Sequence, residues 1–235
     1  MKYCISLLLV FCSLFAVAQK PKVKNLQKFD QKIIHFGFAL GVNGGGFALQ
    51  RNAYNLRTDS LQSINVVNQS GFNLGIVSDL HITPLLNLRF LPTLVFGQRN
   101  MEFNFVNFQG ISYTEFRQIE STYLDFPLLV KYRSKRVNNF AAYLIAGGKY
   151  SLDLASNERV KNVDIPESII KLKRNTYAAE VGVGTDFFLP YFKLGLELKM
   201  SYSLDNAMIR DNTELSNPIE EIRPKMFFFT ILFEG

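Results

Sequence analysis

The sequence predicts an all-β fold, an eight-stranded antiparallel transmembrane β-barrel with short periplasmic turns and four long extracellular loops. Three observations predict it. Apolar residues recur with period two in eight segments from Ile33 onward. The links between those segments alternate between short and long. The less apolar face is rich in small residues (Gly37, Ala39, Gly41, Gly75, Gly97, Gly147, Gly182, Gly184, Gly195), which suits a narrow lumen better than a face bathed in water.

Segment one sets Phe36, Phe38, Leu40 and Val42 against His35, Gly37, Ala39 and Gly41. Segment two sets Phe72, Leu74, Ile76 and Leu80 against Gly71, Asn73, Gly75 and Asp79. In segment three Leu88, Phe90, Leu94 and Phe96 oppose Asn87, Arg89, Thr93 and Gly97. Segment four sets Leu124, Phe126, Leu128, Val130 and Tyr132 against Tyr123, Asp125, Leu129 and Lys131. Segment five, 140–154, is apolar on both faces near its start, with Gly147, Lys149, Ser151 and Asp153 on the more polar side. Segment six opposes Tyr177, Ala179, Val181, Val183 and Phe187 to Ala178, Glu180, Gly182, Gly184 and Asp186. Segment seven opposes Phe192, Leu194, Leu196, Leu198, Met200, Tyr202 and Leu204 to Lys193, Gly195, Glu197, Lys199, Ser201 and Ser203. Segment eight, from Lys225 to Glu234, has less distinct faces, with Phe227, Phe229, Ile231 and Phe233 expected outward.

The short links are His81–Leu86, Arg133–Asn139 and Leu189–Tyr191. The long ones are Asn43–Ser70, 98–120, 155–174 and 205–223, and short turns at one end with long loops at the other are what an outer-membrane barrel shows. A soluble barrel would share the period with its apolar face inward. The small-residue face and the broad aromatic face, built from 22 Phe and 10 Tyr without Trp, decide for the membrane. Sliding segment seven by one residue would turn Lys193, Glu197 and Lys199 toward lipid, at roughly 2–4 kcal/mol for a midplane lysine, so one register is tenable.

Residues 1–18, MKYCISLLLVFCSLFAVA, have the early charge, apolar stretch and small-residue end of a secretory signal peptide cleaved after Ala18. Residues 19–32 then form a basic periplasmic lead and 33–235 the barrel. Both cysteines, Cys4 and Cys12, fall in the signal, so the mature chain holds no disulfide or thiolate chemistry. Bulky Phe11 before Cys12 argues against lipidation. No later stretch reaches the ~18 apolar residues of a membrane helix. The charge of +6 is spread without a basic block, so nucleic acid is not an expected partner.

The inward positions carry five acids (Asp79, Asp125, Glu180, Asp186, Glu197) and five bases (Arg89, Lys131, Lys149, Lys193, Lys199). Eight strands enclose just enough room for side chains to fill the centre. Equal numbers of opposite charges therefore predict a plug of ion pairs rather than a diffusion pore. Catalysis is not expected. The two histidines, His35 and His81, fall at the periplasmic end, and the long loops contain none to act as a base. No cofactor, metal or small-molecule substrate is expected, since no ligand cluster or phosphate loop occurs; Gly44-Gly45-Gly46 follows a strand without the Lys-Ser/Thr that such a loop needs. Lys20, Lys22, Lys24, Lys28 and Lys32 of the lead, with Arg133, Lys135 and Arg136 of the second turn, are candidate contacts for a periplasmic partner; a merely solvated basic rim is the blander reading.

The strings FDQKIIHFGFALGVN (29–43), GFNLGIVSDLHITPLLNLRFLPTLVFGQRNMEF (71–103), ESTYLDFPLLVKYRSKRVNNFAAYLIAGGKYSLDLAS (120–156) and EVGVGTDFFLPYFKLGLELKMSYSLDNAMIRDNTE (180–214) resemble the PorT family across nearly the whole mature chain. The order and spacing of LRFLP, FGQRN, LDFPLLVKY, SKRVNN and LIAGGKY carry the resemblance, with a departure at Ala141-Ala142-Tyr143, where Arg-Pro-Tyr is expected. The resemblance implies an outer-membrane barrel of the type IX secretion system, with a part in gliding motility where that occurs, and no catalytic residues. Membrane lipid and other secretion components are the implied partners. The rival expectation is a structural or adhesive barrel whose long loops bind an external ligand.

Overall fold

The computed structural model describes residues 23–51, 61–106, 110–156, 171–209 and 219–235. A single 3-10 turn, Phe29–Gln31, precedes the strands β1 (Ile34–Arg51), β2 (Leu61–His81), β3 (Leu86–Phe90), β4 (Thr93–Val106), β5 (Ser112–Arg133) and β6 (Phe140–Asp153). They continue with β7 (Lys171–Leu172), β8 (Asn175–Phe188), β9 (Lys193–Ser203), β10 (Met208–Ile209) and β11 (Ile219–Glu234). Each long strand pairs antiparallel with its neighbour in sequence, and β11 returns to pair with β1, so the sheet closes. Strands β3 and β4 share one place, both lying between β2 and β5, which makes a ring of eight. Closure leaves no open edge, which is what a sheet needs where no water can satisfy its backbone.

The break between β3 and β4 falls at Leu91-Pro92, inside what the period predicts as one strand. Pro92 has no N–H to give. The ring stays bonded around it, because Leu91 N–H donates to the Pro127 carbonyl at 3.4 Å and Ile76 N–H to the Pro92 carbonyl at 3.0 Å.

The apolar face points outward on every strand of the ring. Phe36 is 63% exposed, Ile76 65%, Val181 59% and Leu198 57%, while His35, Val77, Glu180 and Lys199 beside them are buried. In water such a belt would aggregate; around a bilayer it is the lipid contact. Stacked pairs across neighbouring strands tie the belt together, among them Phe38 with Phe233 at 4.8 Å and Phe72 with Phe96 at 4.7 Å. Segment eight follows the expected parity, with Phe227 and Phe229 outward and Phe228, Thr230 and Leu232 inside.

The links expected as long loops are in part strand. β1 runs on to Arg51, β2 begins at Leu61, and β4 and β5 pair as far as Val106 and Ser112. β2 and β5 have 21 and 22 residues, about twice the ~9–11 that cross a bilayer. Above the hydrocarbon the outward face no longer has to be apolar, so the period fades while the ladder continues through pairs such as Asn65 with Glu102. Phe47, Ile64, Phe103, Ile219 and Ile222 form a separate apolar core in this upper part, packed with Leu172 of β7 and Met208 of β10. The expected signal segment, 1–18, lies outside the described residues.

Candidate functional site: a filled lumen and a basic periplasmic mouth

The inward positions stack in layers set by strand register. Nearest the periplasm lies an apolar layer of Phe29, Ala141 and Phe188. Above it sits a cluster centred on Arg89, whose guanidinium reaches Asp79 at 2.7 Å, Glu197 at 2.9 Å and Glu234 at 3.1 Å. Lys131 Nζ lies 2.7 Å from Asp186 and 3.8 Å from Asp79; Lys193 Nζ lies 2.7 Å from Glu234 and 3.8 Å from Asp186. Three cations thus face four carboxylates, with the Tyr143 hydroxyl donating to Glu197 at 3.0 Å. Higher up, Lys149 lies 2.8 Å from Asp125 and 3.3 Å from Glu180, and Lys199 lies 2.8 Å from Glu180. Val95, Tyr123, Met226 and Phe228 close the barrel above this second cluster.

Asp79, Arg89, Asp125, Lys131, Lys149, Glu180, Asp186, Lys193, Glu197 and Lys199 are buried, each within ion-pair distance of an opposite charge. Mutual attraction offsets the loss of hydration best where partners are shared, as around Arg89, Lys131, Lys193 and Lys149. Small residues make the room. A Cβ at Gly184 would overlap the Tyr143 ring, and one at Gly195 would press on Leu232 Cδ1 at 3.1 Å. At these two positions the inner face trades side-chain volume for the large group opposite.

Glu234 joins the network although it was not among the expected members. The parity of segment eight, with its odd positions outward, already turns it inward. Tyr143 lies where segment five is apolar on both faces, so period alone could not single it out; its ring also supports Lys131 Nζ at 3.9 Å from the centroid.

The lead folds back over the periplasmic mouth. Phe29 is buried, stacked on His35 at 3.7 Å and edge-on to Phe188 at 5.9 Å. Asn25 Nδ2 donates to the Phe188 carbonyl at 3.0 Å, and Asn25 N–H to Asn139 Oδ1 at 2.8 Å. Asp30 accepts from Arg133 Nη2 at 2.9 Å and lies 3.8 Å from Arg136 Nη1. Arg136 stacks over the Phe188 ring at 3.8 Å and donates to Asn139 and to the Asn25 carbonyl. Burial lowers the Arg136 guanidinium from its ordinary value, with Asp30 opposing the fall and Arg133 adding to it.

Of the candidate partner contacts in the second turn, two are engaged within the chain itself. The Arg133 and Arg136 side chains are only 5% and 6% exposed and anchor the chain's own lead. Periodicity could not find that anchor; the one aromatic-acid pair in the basic lead, Phe29-Asp30, was its only signal. Lys24, Lys28, Lys32 and Lys135 are exposed. Lys20 and Lys22 lie outside the described residues. Among the described residues no group of three His, Cys, Asp or Glu side chains could hold a metal ion.

Several solved structures are similar to this chain, among them an outer membrane protein. OprG from Pseudomonas aeruginosa is 16% identical over 86% of this chain and 92% of its own, with a TM-score of 0.41. Neisserial surface protein A is 9% identical over 84% and 96%, with a TM-score of 0.42. Ail, the attachment invasion locus protein of Yersinia pestis, is 10% identical over 87% and 100%, with a TM-score of 0.40. No curated protein matches the sequence. The family described as outer membrane protein beta-barrel domain matches residues 18–208, the greater part of the chain. The closed ring, the lipid-facing belt and that match agree, and the chain belongs to the outer membrane protein beta-barrel domain family.

Proposed function

We propose that this outer-membrane barrel supports type IX protein export as an assembly or accessory component and does not serve as a diffusion pore. The filled lumen carries the second half of that reading. A barrel whose centre is occupied by Arg89, Lys131 and Lys193, each at most 1% exposed, acts through its surfaces rather than through its bore. The first half rests on the resemblance of the strings around LRFLP, LDFPLLVKY and SKRVNN to the PorT family. In this reading the partners are membrane lipid and other secretion components, met through the periplasmic mouth and the upper strands, and no catalysis is involved. Deleting the gene and assaying the proteins released into the medium tests it: export is lost on deletion, and normal export would reject the role.

A second reading, adhesion through the upper strands, is favoured by one feature. The β4–β5 hairpin displays Ile111, Tyr113 and Phe116 at 59%, 46% and 67% exposure, well away from the membrane belt. Loss of surface attachment with export intact would support that reading instead.

A further inference from the structure

We propose that the periplasmic mouth is a binding cleft for an acidic peptide segment of a partner protein, one that interleaves carboxylates with aliphatic side chains. The inference deepens the periplasmic-contact part of the reading above and rests on the short turns facing the periplasm. A cleft of about 870 Å³ opens between the lead, the turn 82–85 and the turn 134–139. Lys24, Lys32, Arg133, Lys135 and Arg136 line it, against one carboxylate, Asp30. Ile33, Ile82, Pro84 and Leu85 supply an apolar wall.

Two side chains that line this space carry buried nitrogens without a hydrogen-bond partner. Arg133 is 5% exposed, yet Nε and Nη1 have no hydrogen-bond partner, its bonds being made by Nη2 to Asp30 and the Pro84 carbonyl. His81 lines the same cleft with neither ring nitrogen bonded. Buried donors left unmatched are unfavourable, and a carboxylate supplies the strongest acceptor for both. The volume far exceeds that of a single phosphate, and the apolar wall calls for hydrocarbon beside the charge. A lipid headgroup fits less well, because His81 and Arg133 occupy inward strand positions; the outer wall there is Leu80 and Tyr132, the latter 54% exposed. A peptide reaches such a mouth from the periplasm.

The test uses the full mature chain in detergent micelles and a fluorescein-labelled peptide of alternating glutamate and leucine, read by anisotropy. Saturable binding that weakens with salt is expected, with about tenfold weaker binding by Lys32→Glu/Lys135→Glu, since charge reversal at an interface acts on both encounter and hold. The same peptide with glutamine for glutamate does not bind. Asp30→Asn, which removes the competing carboxylate, tightens binding, whereas a variant that merely loosened the lead would weaken it. No saturable binding, equal binding of the glutamine peptide, or no change on charge reversal overturns the proposal. So does weaker binding by Asp30→Asn, or displacement of the peptide by inorganic phosphate or micellar phosphatidylglycerol at concentrations below its own. The binding assay and the deletion assay fail separately: lost export without peptide binding removes the cleft alone, and peptide binding with normal export removes the secretion role alone.

Discussion

Replacing Arg89 with methionine removes the hub of the lower charge cluster while keeping a long aliphatic chain in its place. Three carboxylates lose a partner, but unequally. Glu234 keeps Lys193 at 2.7 Å and Asp79 keeps Lys131 at 3.8 Å. Glu197 keeps only the Tyr143 hydroxyl at 3.0 Å, and its side chain is wholly buried. Removing one partner of a buried pair and stranding the other is unfavourable by about 3–5 kcal/mol. With a urea slope of about 2 kcal/mol/M that moves the unfolding midpoint down by about 1.5–2.5 M. The assay is reversible folding of the purified barrel in lipid vesicles, followed by the mobility difference between folded and unfolded chains on a cold gel. Adding Glu197→Gln to Arg89→Met removes the stranded charge and recovers about 2 kcal/mol or more. Adding Lys199→Met instead perturbs the upper cluster, which shares no carboxylate with Arg89, so the two losses add within about 0.5 kcal/mol. A stability within about 1 kcal/mol of the parent for Arg89→Met, or further loss on adding Glu197→Gln, would refute the reasoning.

Phe29→Ala empties an aromatic site that in a closed core is worth about 3–5 kcal/mol and that holds the lead against Phe188, so trypsin cleaves faster after Lys28 and Lys32 while the barrel band persists; unchanged cleavage contradicts the plugged mouth. Gly184→Val drives a side chain into the Tyr143 ring and lowers stability by about 1–3 kcal/mol, and Tyr143→Ala in the same chain relieves that strain; an additive double variant would show that the glycine does not serve the tyrosine. Liposomes carrying the pure barrel take up no pentose above the empty-vesicle rate in a swelling assay, and swelling at porin rates would show the lumen to be open.

Strand number, parity and the lumen charges were legible in the sequence because one physical rule governs them all. Between acyl chains every outward position must be apolar, so Leu194, Leu196 and Leu198 write the register of β9 directly and Lys193, Glu197 and Lys199 follow it inward. That rule stops at the membrane surface. The extensions of β1, β2, β4 and β5 are held by backbone pairing, which leaves no period to read, and they looked like loops. The periplasmic mouth was illegible for another reason. Arg133 and Arg136 read as free cations because their partners, Asp30, Asn25 and Phe188, are far away in sequence, and such contacts depend on the closed ring bringing 25–30 beside 133–139 and 188. Glu234 was within reach of the parity argument.

The direction of each β9 side chain is the hinge of the whole account, and the chain's lack of tryptophan makes it directly measurable. Single tryptophans placed at Leu196, Leu198, Ser201 and Ser203, in barrels folded into vesicles with brominated acyl chains, report which of them touch lipid. Strong quenching at Leu196 and Leu198 with little at Ser201 and Ser203 is the predicted result; the reverse pattern, or equal quenching at all four, would contradict a greasy wall around an ion-paired centre.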